Sequence, residues 1–301
     1  MALLNPPGIL PQGMWAIVRY LANQPKAVDR DAARALLRPS SLALRKSDDL
    51  FNFAIKALGD LGFLATSTNG SPDQVLRLVC RTPKVLAGSF EAFARQLRYA
   101  ITSPERNTGL AENSSDVGPR DLTRALCWFL SLDPMEPLTW DHVNTRQHDV
   151  HRLPAPIKVP FSNSGRWEAF VRWSRATGFT QHGLVAARDE GSLVPDPTKA
   201  VRDVVEEQWP QGSTVPAEDL IRQVRDLLPV LPGGHWSQAL AMPFPSERVD
   251  PVLSWTLLRG QEDGWLTLNS RSDAPVTILT DPAQPGGQSR ITHVTMGRGQ
   301  G

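Results

Sequence analysis

The sequence predicts a mainly helical α+β chain in which two units, each of three helices followed by a hairpin, flank a helical middle. Three observations carry this expectation. Apolar residues recur at helical spacing in three successive stretches before residue 62, and two strand-like stretches follow. The same order returns after residue 196. Both times a glycine ends the third helix and an aromatic–leucine pair opens the strand, as Leu61-Gly62-Phe63-Leu64 and as Asp263-Gly264-Trp265-Leu266. Glycine suits the left-handed C-cap there, and the aromatic can seal helix onto hairpin.

In chain order, residues 1–11 read as Pro-rich and extended. Met14, Ile17, Val18 and Leu21 then fall at i, i+3, i+4, i+7 of a helix over 13–21. Asp29 is an N-cap candidate for a second helix carrying Ala32, Ala33, Leu36 and Leu37, stopped by Pro39. Ser47 is the corresponding cap of a third, whose Leu50, Phe51, Ala54, Ile55, Leu58 and Leu61 face inward. Residues 63–66 and 75–79, around Asn69-Gly70-Ser71-Pro72, read as a hairpin. Helix, helix, helix, hairpin is the order of a winged helix-turn-helix.

The middle reads as mainly helical. Ser89 caps a helix with Phe90, Phe93, Ala94, Leu97 and Ile101 on one face. Residues 102–118 read as loop, and 120–130 as a helix with Leu122, Ala125, Leu126 and Phe129. Five prolines make 134–161 irregular. A helix over 164–178 carries a stripe of Trp167, Phe170, Val171 and Ser174 and stops at Gly178.

In the last unit, Asp196-Pro197 opens a helix ended by Pro210. Thr214 caps another, with Pro216 in its first turn and Leu220, Val224, Leu227 and Leu228 inward. A helix over 249–264 and strands at 265–268, 276–279 and 291–294 complete it. The expected domains are thus 1–82 and 194–301 as winged helices and 83–193 as the helical middle.

The 301 residues carry 32 Lys and Arg against 31 Asp and Glu, with 41% hydrophobic and 21% charged residues. That composition is globular and excludes a strongly basic, histone-like binder. Cys80 and Cys127 are too few for a disulfide framework or a Cys-rich zinc site. No run approaches the ~20 apolar residues of a membrane span, and the first residues lack a signal-peptide pattern, so a cytoplasmic protein is expected. Proline is unusually frequent, with 26 residues against a usual ~5%.

A helix-turn-helix reads DNA with its third helix, and affinity comes mainly from Lys and Arg on phosphates. Here the first such helix sets Lys56 against Asp48, Asp49 and Asp60. The second sets Arg259 against Asp250, Glu262 and Asp263. Both are acidic, which disfavours groove reading and favours protein docking. Candidate partner or nucleic-acid contacts are Arg45, Lys46 and Lys56, the wing-edge Arg77, Arg81 and Lys84, the helical Arg172 and Arg175, and the terminal Arg271 and Arg290. Arg95, Arg98, Arg120 and Arg124 add basic side chains to the middle, but Trp167 there belongs to an apolar stripe, so solvated arginine on a core helix is the plainer reading.

No phosphate loop, dinucleotide-binding glycine motif, nucleophile elbow or H-E-x-x-H pair is present. His142, His148 and His151, with Asp141 and Asp149, match no zinc module and read as a polar surface stretch. Cys127 reads as a small core residue, and Glu206 and Glu207 as solvated. No catalytic residue, cofactor or metal is therefore expected.

The pattern resembles one family. Its parts are Leu3-Leu4-Asn5 ahead of the first helix, Arg166-Trp167-Glu168-Ala169-Phe170-Val171-Arg172-Trp173 closing at Thr177-Gly178-Phe179, Arg271-Ser272-Asp273-Ala274-Pro275, and Arg290-Ile291-Thr292-His293-Val294. It resembles DpdG, an accessory family of bacterial gene clusters that insert 7-deazaguanine derivatives into DNA and restrict unmodified DNA. The resemblance implies a non-catalytic subunit of a phage-defence assembly whose partners are other proteins of that system. The alternative is direct DNA binding through the wing and middle arginines.

Overall fold

The computed structural model describes residues 2–5, 8, 10–38, 48–68, 74–183 and 192–297 of the chain. Arg45, Lys46, the expected Ser47 cap, the Pro39 stop and the turn at 69–72 lie outside the described residues. So do the side chains of Asp48 and Asp49. The structure is mixed α+β, with twelve α-helices and four small antiparallel sheets among the described residues. It divides into two compact units. One comprises residues 1–108, 115–122 and 164–177, and the other comprises 109–114, 123–163 and 178–301.

The first unit runs α1 (Pro11–Ala22), β1 (Val28–Asp29), α2 (Arg30–Leu37), α3 (Asp48–Asp60), β2 (Leu64–Thr68) and β3 (Gln74–Leu78), with the strands ordered β1-β3-β2. Met14, Ile17, Val18 and Leu21 are all buried on α1. Asp29 caps α2 as expected, accepting from the Ala32 amide at 2.8 Å, a bond of about 1 kcal/mol. On α3, Phe51, Ala54, Ile55 and Leu58 are buried, but Leu50, expected inward, is 42% exposed. It lies in the first turn of α3. Leu36 is likewise exposed, and only Ala33 of α2 is fully buried.

The unit continues with α4 (Pro83–Gly88), α5 (Phe90–Thr102) and α8 (Ser164–Ala176). The short α4 was not expected, since six residues hold too little periodicity to read. Trp15 anchors it by donating its indole N–H to the Leu86 carbonyl at 2.9 Å. Ser89 caps α5 through the Ala92 amide, as expected. Trp167 stacks on Phe170, with centroids 5.6 Å apart, inside the buried stripe of α8.

The second unit repeats the element order. It runs α9 (Thr198–Gln208), β6 (Thr214–Pro216), α10 (Ala217–Leu227), α12 (Pro251–Glu262), β7 (Leu266–Asn269) and β10 (His293–Met296), with strands ordered β6-β10-β7. Two insertions interrupt it: α11 (His235–Ala239) before α12, and a separate hairpin of β8 (Thr277–Thr280) and β9 (Gln288–Ile291) before β10. Thr214 is therefore no helix cap. It lies in β6 opposite Thr295, and Pro216 precedes the helix. The expected strand at 291–294 is two strands broken at Thr292, whose hydroxyl accepts from the Arg271 amide at 3.0 Å.

Residues 134–161 are not irregular throughout. Trp140–Asp149 form α7, because the prolines of that region all fall outside these ten residues. The helix is polar and hides only Val143 and Gln147. The Gln147 amide holds the Phe161 backbone at both N–H and carbonyl, 3.0 and 2.7 Å away. Helix α6 (Arg120–Leu130) carries Cys127 fully buried, and burial pushes its thiol far above the ordinary value. Strands β4 (Thr180–His182) and β5 (Leu193–Pro195) pair as a second addition to the expected elements.

The repeated glycine–aromatic junction is real in three dimensions. Gly62 and Gly264 have φ of +77° and +73°. After each, the aromatic amide reaches back five residues, from Phe63 to the Leu58 carbonyl at 2.8 Å and from Trp265 to that of Gly260 at 3.1 Å. Both rings are buried.

Candidate functional site

In the first unit α3 keeps one open face. Lys56 and Asp60 are exposed, and Asn52 and Phe53 are half-buried beside them. Arg30 donates to the Asn52 side-chain carbonyl at 2.8 Å and lines, with Lys56 and Asp60, a cleft of about 610 Å³. Across the hairpin, Arg77, Arg81 and Lys84 are exposed. Arg77 shares a second cleft of about 400 Å³ with Lys26, a cation that sequence reasoning passed over because it sits in a short polar turn.

On α8, Arg172 and Arg175 are exposed, and Arg172 pairs with Glu168 at 3.6 Å. Three other arginines of the middle are turned inward, while Arg95 and Arg120 are half-buried and Arg152 is exposed. Arg98 is fully buried and donates to the Thr177 carbonyl at 2.7 Å. Arg124 binds the Leu110 and Asn113 carbonyls. Arg166 pairs with Asp116 at 3.1 Å and lies 3.7 Å from Asp121. These three hold loops and helix ends and present no cation outward.

Asp121 is a buried, multiply bonded carboxylate of the first unit. It accepts the amides of Leu3 and Leu4 at 3.0 and 2.7 Å, and so holds two buried leucines against the start of α6. Burial pushes its carboxyl up to about 6 in spite of those amides and Arg166, and the nearby Asp116 adds to the rise.

The second unit treats its third helix differently. The amide of Thr280, on β8, donates to Ser254 Oγ of α12 at 3.0 Å, and the Thr280 hydroxyl donates to the Val249 carbonyl at 3.1 Å. The Val249 amide reaches Ile278 at 2.8 Å. Helix α12 thereby packs against α9, β7 and β8 together, and only Pro251, Gln261 and Glu262 of its twelve residues are exposed. Its charges are also engaged. Asp250 is the N-cap, bonded to the Leu253 amide at 2.9 Å and paired with Arg225 at 3.1 Å. Burial still pushes its carboxyl above the ordinary value. Arg259 pairs with buried Asp196. The expected contest between Arg259 and Asp250 on one open surface does not occur, because Asp250 is buried and Arg259, half-buried, is held by Asp196. Arg271 and Arg290 are exposed.

Among the described residues no three His, Cys, Asp or Glu converge on a point that could hold a metal ion. His142 and His148 are exposed on α7. His151 is half-buried, at φ +49°, with Nδ1 3.1 Å from Ser131 Oγ. The Ser131 hydroxyl donates its single proton to the Trp128 carbonyl at 2.7 Å. Burial lowers the His151 value. The pair lines a cavity of about 280 Å³ walled by Phe244 and four prolines.

No helix among the described residues is long and apolar enough to cross a membrane. No curated protein and no solved structure matches the chain. One family model does, over residues 1–274, from the first buried leucines to the loop after β7, and that coverage suggests a role in the Dpd modification system. A chain matched over nearly all of its length in this way belongs to the DpdG-like family.

Proposed function

We propose that this chain is a non-catalytic adaptor of a DNA-modification or restriction assembly, acting in phage defence in the cytoplasm. It docks partner proteins of the Dpd system through two winged-helix domains joined by a helical middle. The element order helix, strand, helix, helix, strand, strand, with the third strand central, supports the winged-helix reading of each half.

The covering of α12 by the chain's own β8 carries the proposal. A recognition helix must offer an exposed face to the major groove, and α12 has no such face. What it leaves exposed at its C-terminal end, Glu262 and Asp263, would repel phosphate.

The test is co-expression with each other protein of the Dpd system, followed by purification and sizing. A stable complex with at least one is expected, and a failure with all of them rejects the adaptor.

A second reading, DNA contact through the first unit, draws on the exposed Arg77, Arg81 and Lys84. It predicts a duplex gel shift at low salt that falls steeply with added salt, and no shift at low salt ends it.

A further inference from the structure

In the first unit β1 pairs with only Val75 and Leu76 of β3, so β3 runs on past it at Arg77 and Leu78. There the 400 Å³ cleft opens between β3 and the turn after α1. Lys26 and Arg77 line it, and every other lining residue is uncharged. Pro83 is one of its walls, and Arg81 and Lys84 lie within two residues of Pro83 in the chain. All four cations are exposed, and among the described residues none of them makes an ion pair. Elsewhere in the unit the exposed cations have acidic neighbours. Lys56 shares its cleft with Asp60, and Arg172 pairs with Glu168. Cations gathered without a counter-charge repel one another, and a polyanion relieves that repulsion.

The composition of the cleft decides between polyanions. A protein partner is held by aromatic, methionine or other apolar anchors, and lysine is depleted at such surfaces. This lining has no aromatic side chain and no methionine, and its Leu21 and Leu76 are already buried in the fold. A single nucleic-acid strand is held by aromatic platforms for its bases, which the lining also lacks. Lysine and arginine by themselves supply contact with the phosphates of a duplex. Such contact carries no sequence information.

We propose that this edge of the first unit grips the phosphodiester backbone of duplex DNA without reading its sequence. Lys26 and Arg77 hold phosphate at the cleft, and Arg81 and Lys84 add contacts from the chain that follows β3. The inference rests on the DNA-contact reading of the first unit, to which it gives a site, a ligand group and a lack of base preference. It moves the contact from α3 to the sheet edge.

The experiment follows the fluorescence anisotropy of short DNA duplexes of unrelated sequence, titrated with the full chain over a range of salt. The sequences should bind alike. The logarithm of affinity should fall against the logarithm of salt with a slope of about −3.6, about 0.9 for each of four phosphates. Lys26→Ala, Arg77→Ala, Arg81→Ala and Lys84→Ala should each reduce that slope by about 1. Lys158→Ala, at an exposed cation of the other unit, should leave it unchanged. A preference of tenfold or more for one sequence overturns the proposal. So does competition by polyglutamate as strong as that by unlabelled duplex, which would make an acidic protein the ligand. If duplex binding keeps its full slope in all four variants, or is lost in Lys56→Ala alone, DNA contact stands and this site falls. If the native chain binds no duplex at low salt, both fall.

Discussion

Arg259 of α12 closes an ion pair on Asp196, whose side chain is only 2% exposed while the guanidinium remains 33% exposed. The two partners are therefore unequal. Arg259→Ala strands a buried carboxylate and should cost about 2–3 kcal/mol. Asp196→Asn leaves an arginine that can reach water and keeps the oxygen that accepts the Thr198 amide, so it should cost about 1 kcal/mol. Urea denaturation of both variants checks the order, and a larger loss for Asp196→Asn would contradict it.

The two glycines at the end of α12 separate space from backbone strain. A Cβ at Gly260 would lie 2.5 Å from the buried Trp265 ring, whereas one at Gly264 would meet nothing but must hold φ at +73°. Gly260→Ala should cost about 2–3 kcal/mol through overpacking, and Gly264→Ala about 1 kcal/mol. Melting temperatures of the two variants should rank in that order.

Asp121 makes stability depend on pH. Its carboxyl is raised from 3.8 to about 6 in the folded chain, so between those values the folded state binds a proton that the unfolded state does not. Acid therefore favours the fold through this group. Its contribution is greatest below pH 4, and up to about 3 kcal/mol is lost as pH rises through 6. Asp121→Asn should flatten the pH profile between 4 and 7 in chemical denaturation, and an unchanged slope would refute the assignment.

His151 acts with the opposite sign. Burial holds its imidazole below the ordinary histidine value, so the fold disfavours the charged ring and this contribution weakens as pH falls past about 6.5. Its ring resonances should titrate with a midpoint below that of a free histidine. A midpoint above 6.5 would show that the ring is not shielded as described.

Local signals in the sequence determined the elements that close on themselves. The Asp29 and Ser89 caps, the apolar faces of α1, α5 and α6, and the paired glycine–aromatic junctions were legible because each depends on residues within about one helical turn. They sufficed for the α+β class and for the repeated element order. The polar α7, the six-residue α4 and the strand at Thr214 were not legible. Their conformations depend on partners far along the chain: Phe161 for Gln147, Trp15 for Leu86, and Thr295 for Thr214.

The candidate surface divides the same way. Sequence identified the exposed cations Arg77, Arg81, Lys84, Arg172 and Arg175, since an isolated charge is usually solvated. Only tertiary structure decided that Arg98 and Arg124 are internal and that Arg259 is tied to a buried carboxylate, because each is matched to a carbonyl or carboxylate from 11 to 79 residues away. Only tertiary structure, too, laid β8 over α12. Burial is a property of the packed chain, and no local pattern encodes which face a distant hairpin will cover.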